Sequence, residues 1–320
     1  MILILMNFKV FPLLASLAIA LALGGCTSAD EADGTSVKVA AAFYPLEFAV
    51  SSVAGDAVDI TPLTTPGVEA HDVELTPRQV AAVVNSDLVV YLSGFQPAVD
   101  AAVKEADPAK VVDVAQFADL KSLDEEAHAE HAADDGAEAD HAGHDHGDID
   151  PHFWLDPLRL AAVTEAIAER LAVIDPDQAT TFASNAKSAR SELSDLDSEF
   201  TAGLTTCARR ELFTSHSAFG YLAMRYDLEQ VAVVGIAPDV EPSGARIAEV
   251  QNLAREHGAT TIFFETAASD AVAKSIARDL GLRTAVLDPI ESVTDQSTGE
   301  DYPAIMRANL AAIQTANDCG

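Results

Sequence analysis

Three histidines stand where a loop could hold a metal ion. His71 lies in Gly67-Val68-Glu69-Ala70-His71-Asp72, just beyond a run that has the pattern of a strand. His152 lies in Asp150-Pro151-His152-Phe153-Trp154-Leu155-Asp156-Pro157, directly before a helical pattern, and His216 in Phe213-Thr214-Ser215-His216-Ser217-Ala218-Phe219-Gly220, between a strand and a helix. Any one of them alone would more often be a hydrogen-bonded structural residue. Three at equivalent junctions point to a shared site, because in open α/β sheets ligands gather beyond the carboxyl ends of the strands. Imidazole nitrogens at such a place are donors for a divalent transition metal. Glu265, Glu241 and Asp150 are candidate carboxylates to accept a ring N–H and hold a ligating imidazole in orientation, the alternative for each being a solvated loop carboxylate. His257, late in a helix, fits a dipole or surface role.

Five further histidines, His128, His131, His141, His144 and His146, fall in residues 124–150 among eleven acidic residues, with no Lys or Arg and almost nothing large and apolar. Such a segment cannot bury enough surface to offset its ordering entropy and is expected to be a mobile loop. Its chemistry suits low-affinity capture of a divalent transition metal near the main site; the alternative is a solubilising insertion with incidental histidines.

The elements that must position these residues follow from the pattern. Short β-branched runs at 37–42, 58–63, 88–92 and 111–114 alternate with helical stretches at 45–53, 77–85 and 98–105. The rhythm repeats with strands at 211–214, 230–234, 261–264 and 284–287 and helices at 219–226, 244–257, 269–280 and 302–316. Alternation of this kind predicts an α/β fold with mostly parallel sheets flanked by helices. An internal echo, Asp72-Val73-Glu74-Leu75-Thr76 against Asp239-Val240-Glu241-Pro242-Ser243, suggests two related globular lobes, with Thr76 and Ser243 each capping a helix. Between them, 157–173 and 177–204 have long helical patterns, the second expected to be one rigid linker helix. The predicted organisation is an N-terminal lobe at 37–175, a linker helix at 176–204 and a C-terminal lobe at 205–320.

The chain of 320 residues carries a formal charge of −32, which repels phosphate backbones and argues against nucleic-acid binding. Lys9 precedes an apolar run, too short to span a bilayer, that ends in Leu23-Gly24-Gly25-Cys26. That ending resembles a bacterial lipobox. Residues 1–25 are therefore expected to be a signal peptide, with translation starting at Met1 or Met6. Cys26 is then the lipidated residue, and 26–36 a flexible tether anchoring the protein to the membrane outside the cytoplasm. In that oxidising compartment Cys207 and Cys319 are expected to bridge, two unrelated thiols being the alternative.

These pieces, with Phe43-Tyr44-Pro45-Leu46, Phe263-Phe264-Glu265 and Leu287-Asp288-Pro289, resemble the metal-binding lipoproteins of ABC-type zinc and manganese importers, and most closely the high-affinity zinc uptake branch. The resemblance covers nearly all the chain beyond the signal. It implies two α/β lobes bridged by a long helix, metal buried between them, a monomer, and an ABC permease as partner. Metal ligands carry over to His71, His152, His216 and a carboxylate near Asp288, with Glu69 the alternate fourth donor. Three imidazoles and a carboxylate suit Zn²⁺, whereas manganese prefers more oxygen; in the related manganese binders a glutamate typically matches His216. Manganese binding of the same importer class is the runner-up. No His-Glu-x-x-His helix supports a zinc hydrolase, no feature singles out a surface adhesin, and no catalytic activity is expected.

Overall fold

The computed structural model describes residues 36–121, 149–266 and 269–320. The signal at 1–25, Cys26, nearly all of the tether and the five histidines at 128–146 lie outside the described residues. In the first half, β1 (Val37–Ala41), β2 (Val58–Pro62), β3 (Leu88–Tyr91) and β4 (Val111–Asp113) form one parallel sheet in the order β2-β1-β3-β4. A parallel sheet is covered on both faces and so needs nearly continuous apolar runs. Val39, Ala40 and Ala41 of β1 and Leu88, Val89 and Val90 of β3 are accordingly wholly buried. Helices α1 (Tyr44–Ala54), α2 (Pro77–Asn85) and α3 (Pro97–Val103) alternate with the strands. The start of α2 is fixed by a capping box, Thr76 with Gln79, and by Pro77, whose missing N–H costs nothing there.

Two long helices follow, α4 (Pro157–Ile174) and α5 (Ala179–Leu204), packed on each other across the Asp175-Pro176 turn. The 26 residues of α5 span about 39 Å. Its buried residues Phe182, Ala186, Ala189, Leu193, Leu196, Phe200 and Leu204 recur every three or four positions, a single stripe along one face. That stripe joins a core shared by both halves of the chain, and α5 packs against α1 and α4 of the first and the helix at Tyr302–Asn317 of the second.

The second half contains two parallel ladders. One pairs β5 (Glu211–Thr214) with β6 (Glu229–Ala232), and the other pairs β7 (Thr261–Phe264) with β8 (Arg283–Val286). β5 and β7 lie side by side. Helices α6 (Gly220–Arg225), α7 (Gly244–Glu256), α8 (Ala271–Leu280) and α9 (Tyr302–Asn317) accompany them. Ser243 caps α7 as Thr76 caps α2, which gives the internal echo a structural counterpart. A small core of this half gathers Phe213, Val231, Val250, Ile262 and Ile276. The larger core runs from β1 through α5 to α9. α9 approaches α5 so closely that a Cβ on Gly203 would sit 2.6 Å from Gln314 Nε2. A disulfide joins Cys207 to Cys319 beside that contact.

Candidate metal centre

Each donor is delivered by the end of a strand or the start of a helix. His71 follows β2, in the loop leading to α2; His216 follows β5; His152 precedes the short turn at Phe153–Leu155 that opens into α4. All three are buried, with at most 1% of their surface exposed. The fourth member of the cluster is Glu291, beyond β8. His152 Nε2 lies 3.3 Å from His71 Nε2, 3.4 Å from His216 Nε2 and 3.2 Å from Glu291 Oε1. Glu291 Oε1 is 3.6 Å from the Nε2 atoms of both His71 and His216.

A tetrahedral zinc ion with bonds of about 2.0–2.1 Å sets its ligand atoms about 3.3–3.4 Å apart. The separations around His152 therefore match the edges of such a tetrahedron. The protonation pattern agrees, since His152 Nδ1 is 2.7 Å from Asp150 Oδ1 and His216 Nδ1 is 2.6 Å from Glu265 Oε1. The His152 ring is thus held through Nδ1 by a buried carboxylate and the His216 ring is paired with another through the same atom, which leaves Nε2 of each facing the cluster. Glu265 also accepts the hydroxyl of Ser215. Asp150 is itself held at a neck, where its N–H donates to Lys121 O and its carbonyl accepts from Tyr221 Oη on α6. An edge-on ring of Phe95, 4.8 Å from the His71 ring, supplies an apolar wall.

Electrostatics tie these groups together. Burial opposes protonation of His71 and lowers its pKa. Burial likewise opposes protonation of His216, but Glu265 and Glu291 outweigh it and push that ring up to about 10. His152 is raised in the same way against its burial, by Asp150 and Glu291. Burial alone would protonate Glu291; the three imidazoles instead hold it well below the usual carboxylate range. Glu69 is pushed up to about 9 by burial and by the charge of Glu291.

The structure thus brings His71, His152 and His216 together, with Asp150 and Glu265 behind two of them. It does not bring Asp288 into the cluster. Both Asp288 carboxylate oxygens are engaged elsewhere, Oδ1 by the N–H of Ile290 at 2.8 Å and Oδ2 by the hydroxyls of Ser297 and Thr266. The carboxylate at the imidazoles is Glu291, three residues on. Glu69, the alternate donor, stands beside Glu291 and groups with Asp72 and Asp239 at the rim. Glu241 is exposed, where solvent rather than an imidazole can satisfy it. The signal for Glu291 lay in Asp288-Pro289: an Asp before Pro tends to turn back onto its own backbone two residues later, which leaves the next carboxylate free.

A small cavity of about 70 Å³ reaches His71 between Phe95, Leu120, Ile149, Pro151 and Ile236. Leu120 and Ile149 flank the acidic, histidine-rich segment.

Comparison with known proteins gives one consistent family. A family model described as ZnuA, zinc-uptake complex component A periplasmic, matches residues 39–316. The chain is 36% identical over 319 residues to the zinc-binding lipoprotein AdcA of Streptococcus pneumoniae (strain ATCC BAA-255 / R6), covering 97% of this chain. It spans 61% of the length of that relative. It is 33% identical over 312 residues to the high-affinity zinc uptake system protein ZnuA of Bacillus subtilis (strain 168), covering 95% of each. The crystal structure of the Zn(II)-bound ZnuA-like domain of Streptococcus pneumoniae AdcA matches with a TM-score of 0.70 at 32% identity, covering 88% of this chain and 99% of that one.

Proposed function

This chain belongs to the zinc-uptake complex component A family, and on that premise we propose that it captures Zn²⁺ outside the cytoplasm and delivers it to the permease of an ABC-type importer. The observation that carries the reading is the donor geometry: three imidazole nitrogens and one carboxylate oxygen gathered within zinc-ligand reach, His152 at tetrahedral-edge separations from the other three, and two of the rings held from behind by buried carboxylates. Zinc is cargo here. Four protein donors close the coordination sphere and leave no position for an activated water, so the site binds and does not catalyse. Manganese, which favours more oxygen and higher coordination, is poorly served by this set. His71 and His152 come from the first half of the chain and His216 and Glu291 from the second, so displacing one half against the other would open the site and free the ion.

The remaining organisation belongs to the same reading: a signal at 1–25, Cys26 as the lipidated anchor, a tether at 26–36, lobes at 37–175 and 205–320, and a monomer. Residues 124–150 serve as an accessory zinc-collecting segment; the support is that Leu120, just ahead of it, and Ile149, near its end, wall the cavity that leads to His71.

Competition titration of the metal-free protein against a chromophoric chelator tests the central claim. One tight Zn²⁺ per chain is expected, with Mn²⁺ much weaker. Structural zinc sites are worth roughly 10–16 kcal/mol, so loss of one of four donors in His216→Ala should weaken zinc by about a hundredfold. An unchanged affinity in that variant would remove the proposal.

A further inference from the structure

Asp288 and Glu291 lie three residues apart after β8, and only Glu291 reaches the imidazoles. The backbone between them is unusual. Ile290 has φ of 61°, the left-handed region, which a β-branched residue rarely adopts. Its side chain is wholly buried. Nothing in an isoleucine favours that conformation, so its surroundings impose it.

The constraints can be named. Asp288 Oδ1 accepts the Ile290 N–H at 2.8 Å, closing the turn, and Asp288 Oδ2 accepts the hydroxyls of Ser297 at 2.9 Å and Thr266 at 3.3 Å. Asn309, on α9, grips the main chain of Asp288 on both sides: its Oδ1 accepts the Asp288 N–H at 2.9 Å and its Nδ2 donates to the Asp288 carbonyl at 2.7 Å. The Trp154 indole N–H donates to the Pro289 carbonyl at 2.7 Å, fastening the same turn to the segment that carries His152. Asp288 is 1% exposed, and the bonds of its carboxylate fix the turn.

We infer that Asp288 is a positioning residue for metal binding, an inference that rests on the zinc-capture reading: its carboxylate holds Ile290 in the left-handed turn that aims Glu291 at the three imidazoles, without itself touching the ion. Zinc affinity in this chain then depends on a carboxylate that is not a ligand.

The test is a double-mutant cycle on the full chain, reading zinc affinity by competition and donor set by the visible spectrum of the Co²⁺-substituted protein. Asp288→Ala should lose about as much zinc affinity as Glu291→Ala, on the order of tenfold or more, and should shift the cobalt spectrum in the same way. Asp288→Asn should recover most of that loss, because an amide oxygen still accepts the Ile290 N–H while the Ser297 and Thr266 hydroxyls rotate to accept. In the Glu291→Ala background, Asp288→Ala should cause no further loss, since it acts only through Glu291. Full additivity of the two substitutions, an Asn variant as weak as the Ala variant, or an Asp288→Ala protein with unchanged affinity and spectrum would each overturn the proposal. Should circular dichroism show Asp288→Ala unfolded, Ser297→Ala decides: a few-fold loss that vanishes in the Glu291→Ala background supports it, and a loss that persists there overturns it. Failure of the zinc-capture reading would show separately, as a wild-type cobalt spectrum without imidazole donors.

Discussion

Two regions of the molecule gather ionisable groups around a buried carboxylate, Asp156 in one and Glu291 in the other, and they balance them in opposite ways. Where α4, α5 and α6 meet, Asp156 caps α4 through the Leu158 N–H at 2.9 Å and lies 3.3 Å from the guanidinium nitrogens of both Arg225 and Arg159. Asp197 of α5 shares the same Arg225 Nε at 2.6 Å and accepts the Tyr226 hydroxyl at 3.1 Å. Cations and anions already face each other there. In the metal centre three imidazole nitrogens and a carboxylate oxygen face one another, with His152 and Glu291 about 3.2–3.6 Å from their neighbours. The first region is complete as the chain folds; in the second, a cation from outside takes the place that a proton on His216 otherwise holds. Burial by itself therefore does not mark function, whereas burial of like partners does.

The largest effect that separates the two regions should come from metal itself. At a free zinc concentration about a thousandfold above Kd, linkage stabilises the fold by about 4 kcal/mol, an increase in Tm on the order of 10 °C in a calorimetric scan against the chelated protein. A zinc-independent Tm would mean that the donor cluster is as self-sufficient as the ion network. Next in size, Arg225→Met should cost about 2 kcal/mol by stranding charge-assisted hydrogen bonds of Asp197 and Asp156. Denaturant titration should find the same loss with and without zinc. A zinc affinity that fell with it would show the regions to be coupled.

The smallest effect at any one pH is a proton count. His216 is held up to about 10 in the metal-free protein, against about 6.5 for an unfolded chain. Its proton therefore stabilises the metal-free fold fully below about pH 6.5, and that contribution fades as pH rises through about 10. Zinc must displace this proton, so apparent affinity should climb about tenfold per pH unit between about 7 and 10. Calorimetry in buffers of different ionisation heat should register on the order of one proton released per zinc near neutral pH; none released would contradict this account of His216.

Much of this was legible beforehand. Strands at Glu211–Thr214 and Thr261–Phe264 and the helix at Pro77–Asn85 stand where the residue pattern put them, because apolar periodicity and a Thr-Pro cap are local properties. The three histidines were visible for the same reason, as loop residues at strand ends. Glu291 was not. The choice between it and Asp288 depends on the φ of one residue, Ile290, and that angle is set by contacts from Trp154 and Asn309, both far away along the chain. Glu241, a candidate to orient an imidazole, is exposed, and nothing in its local sequence distinguishes it from the buried Glu265.

The Cys207–Cys319 bridge turns the intervening polypeptide into a covalent ring that carries His216, Glu265 and Glu291. A protease that nicks one peptide bond inside that ring, for example beside the exposed Val240, linearises it without shedding a fragment. Such clipped molecules would run as a single band on a gel until a reductant is added. Damage from the outside can therefore accumulate while the zinc donors stay tethered to one another.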